Sequence, residues 1–310
     1  MVYLLGILTS LFDDDAPELL RTIDDAIERR IIQAEVPAVF CDKIEGRNSK
    51  VDKRIKEIRE LKHLDNLIFL SPRDVDANLY DAAKKSGNES ELIQQFREKY
   101  DRTALERLPE ADSYLNVGFM RIMTPILHNS LTIINLHPGL PNIGPIGMWP
   151  DVMKEQAVRP LQYLLSLEER IVNSCIPDVM RIGRNKAGGM LHITTEKIDR
   201  GPVISWYEFP LDSPKLRVLW HQTVNYARQY GIDCIREAPP FEELAHEIRR
   251  EQLKGEHPLL VLTYKNLTKG DWKIKDRKLY VKGVKCPDGY CLNREVNGSL
   301  RSNRIDSLIE

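Results

Sequence analysis

Apolar runs of strand length alternate with helix-period segments through the first half of the chain, and this alternation constrains the fold more than any other feature. Val2–Leu8, Val36–Cys41, Asn66–Leu70, Tyr114–Phe119 and Leu131–Ile134 read as strands. Between them, the stretch from Asp15 to Ile32, Val51–Leu61, Ala77–Lys85 and Glu91–Tyr100 carry the spacing of helices. The first has Asp15 as its cap, with Pro17 and Glu18 in the opening turn. Strands separated by helices pair in parallel under a helical cover, so an α/β fold with a mostly parallel central sheet is expected.

The last of these runs continues into Asn135-Leu136-His137-Pro138. Side chains two apart in an extended chain face the same way, and Pro138 stops the strand. Asn135 and His137 then project together from a carboxyl strand end, where open α/β sheets usually bind ligands. A strand end running into a polar turn accounts for the same four residues.

Three segments in order, GFMRIMTP (Gly118–Pro125), NLHPGLP (Asn135–Pro141) and HITTEKIDRGPVI (His192–Ile204), resemble the folate-dependent formyltransferases. The likeness is greatest to the phosphoribosylglycinamide formyltransferases, with methionyl-tRNA and sugar-nucleotide formyltransferases more distant. It is good over Tyr114–Leu211, rests on pattern alone before that, and is lost toward the C-terminus. The resemblance implies a Rossmann-like formyltransferase fold and an enzyme of one-carbon metabolism; the scattered cysteines and the leaderless apolar start suit a reducing cytoplasm. The resemblance further implies 10-formyltetrahydrofolate as formyl donor, a small-molecule amine as acceptor, no metal, and a place in purine synthesis.

Formyl transfer needs donors for a developing oxyanion, a proton shuttle, and a group that fixes the shuttle's state. Asn135 supplies an amide that does not titrate, and His137 a relay. Asp199, by resemblance the third catalytic residue, is expected to raise the histidine pKa above its ordinary value. His192 also matches a family histidine; a satisfied strand residue explains it as well. Phe119, Met120 and Ile122 are candidate walls for a flat pterin, with the main chain of Arg121–Met123 and the loop holding Thr195, Glu196 and Ile198 at its polar edge. His63, His128, His221, His246 and His257 read as surface or helix residues.

The acceptor side departs from the family. In place of a glycine-rich phosphate loop stands Thr9-Ser10-Leu11-Phe12-Asp13-Asp14-Asp15, whose carboxylates repel an anion and whose Asp15 is expected to cap the following helix. Ser10 remains a candidate acceptor ligand, as do Gly139, His192 and Arg184. Gly139 replaces the family's usual serine in a loop one residue shorter, and Arg200 replaces a glycine of the family turn. Arg181, Arg184 and Lys186 form either a substitute anion site or a solvated basic turn. The interval 146–187, longer than in the purine enzymes, reads as irregular through Pro150 and then helical over Gln156–Ser174.

Met190–Thr195 and Val203–Phe209 read as strands, Leu216–Glu237 as a long helix, and Phe241–Leu253 as a charged helix after Pro239-Pro240. Beyond Pro258, Leu259–Tyr264, Trp272–Ile274, Leu279–Val284 and Asn293–Val296 read as short strands with turns at Pro287-Asp288-Gly289 and Asn297-Gly298. The expected division is a catalytic domain over 1–240, a linking helix over 241–257 and a small β-rich extension over 258–310. The extension is too small for its own core and packs on the main domain or on another subunit.

The 310 residues carry a net charge of -1, so no global field attracts nucleic acid. The basic stretch 265–285, with Trp272 and Tyr280 interleaved, is either an RNA-holding surface or a guard against edge pairing. Cys41, Cys175, Cys234, Cys286 and Cys291 are odd in number and scattered, which argues against a disulfide framework or a zinc site. Val2–Leu8 lacks a basic leader and soon meets Asp13-Asp14-Asp15, as an internal strand rather than a signal peptide does. Three classes remain open: a formyltransferase, with a sugar-nucleotide amine or an aminoacyl-tRNA as other acceptors; a 10-formyltetrahydrofolate hydrolase; and a folate-binding protein without turnover.

Overall fold

A computed structural model describes residues 2–88, 90–142, 144–166 and 186–302. The first half forms β1 (Tyr3–Thr9), α1 (Ala16–Glu28), β2 (Ala34–Glu35), β3 (Val39–Cys41), α2 (Ser49–Arg59), β4 (Leu67–Phe69), α3 (Pro72–Ser86), α4 (Glu91–Arg107), β5 (Ser113–Asn116), α5 (Pro125–Ser130) and β6 (Ile133–His137). These strands pair in parallel, β6-β5-β1-β3-β4, with the short β2 also beside β1. Alternation along the strands gives both faces a core. Leu5, Ile7, Val39, Leu115 and Ile134 pack with α1 and α2, while Leu8, Phe40, Tyr114 and Ile133 pack with α3, α4 and α5.

The second half continues with α6 (Trp149–Leu165), β7 (Lys186–Ile193), β8 (Val203–Pro210) and α7 (Pro214–Tyr230). Strands β7 and β8 extend the sheet antiparallel from β6. The helix expected over Leu216–Glu237 ends earlier, at Tyr230. Gly231 (φ +91°) breaks it, and a 3-10 turn, Ile232–Glu237, follows. Helix α8 (Pro239–Lys269) then runs unbroken past Pro258.

Two segments expected as strands are helical. Leu259–Tyr264 lies inside α8, wholly or nearly buried from Leu259 through Leu262 against the α1 face of the sheet. A continuous apolar run has no period of its own, so a helix buried on all sides and a buried strand look alike in sequence. Residue 258 therefore falls within one helix. Asn293–Val296 belongs to α9 (Asn293–Ser302), and Asn297-Gly298 is helical rather than a turn. Val296 and Ser299 within it, and Leu292 just before it, are buried at helical spacing.

Strands β9 (Trp272–Lys275), β10 (Lys278–Val281) and β11 (Val284–Lys285) form a small antiparallel sheet, and β12 (Tyr290–Cys291) joins the main sheet alongside β8. Arg277, between β9 and β10, donates to the carbonyls of His128 and Thr194, so one residue of the basic stretch ties this sheet to the main domain. Among the described residues no helix is long and apolar enough to cross a membrane. Leu260→Ala should destabilise the fold by about 2–5 kcal/mol in chemical denaturation, as loss of a fully buried leucine does. A change near zero would contradict its burial in α8.

Candidate active site

Strand β6 delivers Asn135 and His137 to one face at its carboxyl end, and antiparallel pairing sets His192 of β7 directly across from Asn135. The loop after β7 returns Asp199 to the same point. Asp199 has φ +52°, a left-handed backbone that Asp tolerates better than most residues. At Gly201 any Cβ would lie 1.7 Å from the Ile193 carbonyl, so only glycine lets the loop fold back this tightly.

The catalytic candidates converge. Asn135 Nδ2 donates to Asp199 Oδ1 at 3.3 Å, and lies 3.1 Å from His192 Nε2. His192 Nδ1 is 3.2 Å from the Ile193 carbonyl and must carry the proton there. His137 Nδ1 is 3.5 Å from Asp199 Oδ2, and His192 Nε2 is 3.6 Å from Asp199 Oδ1. The 144–147 segment closes over this cluster. His137 Nε2 donates to the Pro145 carbonyl at 2.9 Å, and the Gly147 amide donates to Asp199 Oδ2 at 2.9 Å.

The two small departures from the family pattern meet at this closure. Arg200 donates to the Gly144 carbonyl at 2.7 Å and holds the segment down. At Gly139 a Cβ would come within 2.6 Å of His137 Nε2 and 3.3 Å of the Pro145 oxygen. The serine usual in the family does not fit under a loop closed this far.

Electrostatics correct one expectation. His137 is almost wholly buried, and desolvation lowers its pKa below the ordinary 6.5; Asp199 opposes this without overcoming it. The imidazole is therefore neutral at pH 7, suited to accept a proton rather than to donate one as imidazolium. Burial pushes the Asp199 carboxyl up, but the His192 ring, His137 and the Gly147 amide together hold it below its ordinary value.

Beside this cluster lies a cavity of about 410 Å³. All eight residues assigned to the folate line it: Phe119, Met120, Arg121, Ile122, Met123, Thr195, Glu196 and Ile198. The Arg121 guanidinium faces elsewhere, lying 3.9 Å from the centroid of the Tyr100 ring and 3.8 Å from Asp42. Met120, Ile122, Met148 and Ile198 leave large apolar side chains exposed around the cavity. His128 is buried in its wall. Its Nδ1 donates to Asn129 Oδ1 at 3.1 Å, and its Nε2 has no partner among the described residues.

The acceptor candidates divide. His192 belongs to the catalytic cluster, and Gly139 shapes it without lining the cavity. Ser10 is fully buried and off the cavity; its Oγ accepts from the Met120 amide at 2.9 Å and braces the Phe119–Met123 stretch from behind. Arg181 and Arg184 lie outside the described residues, and Lys186 pairs with Glu208. Asp15 does not cap α1. Its side chain makes no cap hydrogen bond and instead accepts from Arg249 Nε at 3.0 Å and Nη2 at 2.8 Å. A buried, cavity-facing guanidinium outbids helix amides that water and backbone can serve.

Several lining residues escaped the sequence reading: Asp13, Leu19, His128, Met148, Trp149, Thr194, Arg249 and Glu256. Arg249 and Glu256 are one helical face of α8, far from α1 in sequence, and carry no motif. His128 follows Pro125 in a single-turn helix whose burial no local period announces. A second, open groove of about 600 Å³ between α1 and α2 is lined by charges of both signs, with Asp14 paired to Lys50 and Arg54, and lies apart from this chemistry.

No family model matches the sequence, and no curated protein matches it. Solved structures are similar. A phosphoribosylglycinamide formyltransferase from Coxiella burnetii aligns at 15% identity and a TM-score of 0.52, over 94% of this chain and 99% of that one. A glycinamide ribonucleotide transformylase from Symbiobacterium toebii aligns at 16% identity and a TM-score of 0.50, over 90% and 94%. At these identities the likeness is one of fold, and the chain has the Rossmann-like formyltransferase fold.

Two measurements check the site. In an NMR titration, His137 should show a midpoint below 6.5, and Asp199→Asn should lower it further, because the carboxylate that favours the charged ring is gone while burial remains. A midpoint above 6.5, or a rise in the variant, would contradict the burial argument. Gly139→Ala should cost about 1–3 kcal/mol of stability through overpacking and shift the His137 ring resonances. Unchanged stability and resonances would show that the loop does not rest on the imidazole.

Proposed function

We propose that the chain transfers the formyl group of 10-formyltetrahydrofolate to an amine. The observation that carries this reading is the meeting of Asn135, His137 and Asp199 beside a cavity lined by every residue the resemblance assigns to the folate. The fold shared with a phosphoribosylglycinamide formyltransferase and a glycinamide ribonucleotide transformylase supports it.

The wall chemistry suits a pterin, a flat ring with an edge of N–H donors and carbonyl acceptors. Phe119, Ile122 and Ile198 supply apolar surface. Buried His128, whose Nε2 has no partner among the described residues, adds a polar group to that wall.

In the transfer, the amine nitrogen bonds to the formyl carbon and charge builds on the formyl oxygen. Asn135 stabilises that charge: its 3.3 Å bond to Asp199 is long and can be exchanged for one to the oxyanion. Neutral His137 takes the amine's proton, Asp199 stabilises the imidazolium so formed, and the proton returns to the departing folate nitrogen. At rest His137 Nε2 carries the ring proton and donates it to the Pro145 carbonyl, so this step requires the 144–147 segment to lift and the neutral ring to adopt its other tautomer, with Nδ1–H toward Asp199 Oδ2 and Nε2 open to the amine.

The test is consumption of 10-formyltetrahydrofolate with and without an amine panel. Amine-dependent loss of the donor is expected; loss at the same rate without amine, with formate released, would mark a hydrolase instead. Asn135→Ala should lower kcat by about 10²–10³-fold and leave folate affinity nearly unchanged. An unchanged kcat would remove the amide from the mechanism.

A further inference from the structure

Taking formyl transfer as premise, we propose that the acceptor is a small amine that carries no phosphate and holds a positive charge away from its reacting nitrogen, a diamine being the simplest case, received by Glu256 and Asp13. Both residues line the cavity that holds Asn135 and His137. Glu256 is 1% exposed; its Oε1 accepts from Arg249 Nη1 at 2.7 Å, while its Oε2 has no partner among the described residues. A buried carboxylate oxygen without a donor is costly, and a charged N–H donor is the group that relieves it most.

Asp13 Oδ1 accepts from the Asp15 amide at 3.2 Å, which leaves Oδ2 for a ligand. Burial and the neighbouring Asp15 push the Asp13 carboxyl up, the direction in which an added cation is favoured.

The sign of this wall is the second argument. Arg249 is its cation, yet Asp15 and Glu256 already hold Nε, Nη1 and Nη2. With Asp13, the local set is three carboxylates against one guanidinium, a net charge of about -2 that repels phosphate. The backbone offers no glycine cradle either, since Thr9–Asp15 contains none.

The reacting nitrogen must be uncharged to attack, and carboxylates beside it would keep it protonated. Glu256 and Asp13 therefore hold a second group of the acceptor, leaving its nucleophilic nitrogen to His137. The step balances without another reactant: the nitrogen–formyl bond forms, the bond from the formyl carbon to the folate nitrogen breaks, and the amine's proton ends on that nitrogen.

Calorimetric titration of the full chain with 1,4-diaminobutane and with O-phosphoethanolamine tests this, alongside a separate titration with 10-formyltetrahydrofolate. The diamine should bind at least about tenfold more tightly than the phosphorylated amine, and Glu256→Gln and Asp13→Asn should each weaken it by about tenfold. Asp13→Asn, at a partly exposed residue, guards against a misfolded Glu256 variant. Tighter binding of O-phosphoethanolamine, or diamine binding unchanged in both variants, would overturn the proposal. Folate binding without diamine binding would overturn it and leave formyl transfer standing. Diamine binding that depends on both carboxylates, with no folate binding, would support the wall and sink the transfer reading.

Discussion

One carboxylate gathers this site. Asp199 receives Asn135 from β6, faces the rings of His137 and His192 across two strands, and takes the Gly147 amide from the segment closing above. A carboxylate drawn this far from water holds its charge through its donors, so the bonds from the Asn135 amide and the Gly147 amide are ones it cannot cheaply lose. The left-handed turn at Asp199 and the tight return at Gly201 are the backbone cost of bringing it there. Burial then dominates the imidazole and leaves His137 neutral. The ring thereby becomes a proton acceptor held beside an anion that stabilises its charged form.

The fold's first half was legible because strands and helices alternate with clear punctuation. Asn135 and His137 were legible because a period of two and a terminating proline fix their side and position. Asp199 needed the resemblance, since nothing local separates it from a turn residue. The C-terminal third misled for physical reasons. Leu259–Leu262 is apolar all round and so has no period, and the Asn297-Gly298 turn signal yields to the helical spacing of Leu292, Val296 and Ser299. Asp15 looked like a cap because caps are local, whereas its partner Arg249 sits on a helix far along the chain.

The two sides of the cavity follow different logic. The side bearing Phe119–Met123 and Thr195–Ile198 keeps the wording of the family it resembles, with apolar side chains around exposed main chain. The other side replaces a glycine loop with an acidic turn locked to α8 through Arg249, while Arg54 and Lys50 of α2 hold Asp14. Gly139, Arg200 and the closed 144–147 segment change together, because a shorter loop resting on His137 leaves no room for a side chain at 139. Under the proposed reading, the donor side is kept while the space for the acceptor is rebuilt.

The most direct test of the central claim is a crystal structure of the chain with a non-transferring 10-formyl folate analogue. The account predicts the pterin against Phe119, Ile122 and Ile198, and the formyl oxygen within hydrogen-bonding distance of Asn135 Nδ2, with the Pro145 carbonyl displaced from His137. An analogue bound elsewhere, or one whose formyl group points away from the amide and imidazole, would contradict it.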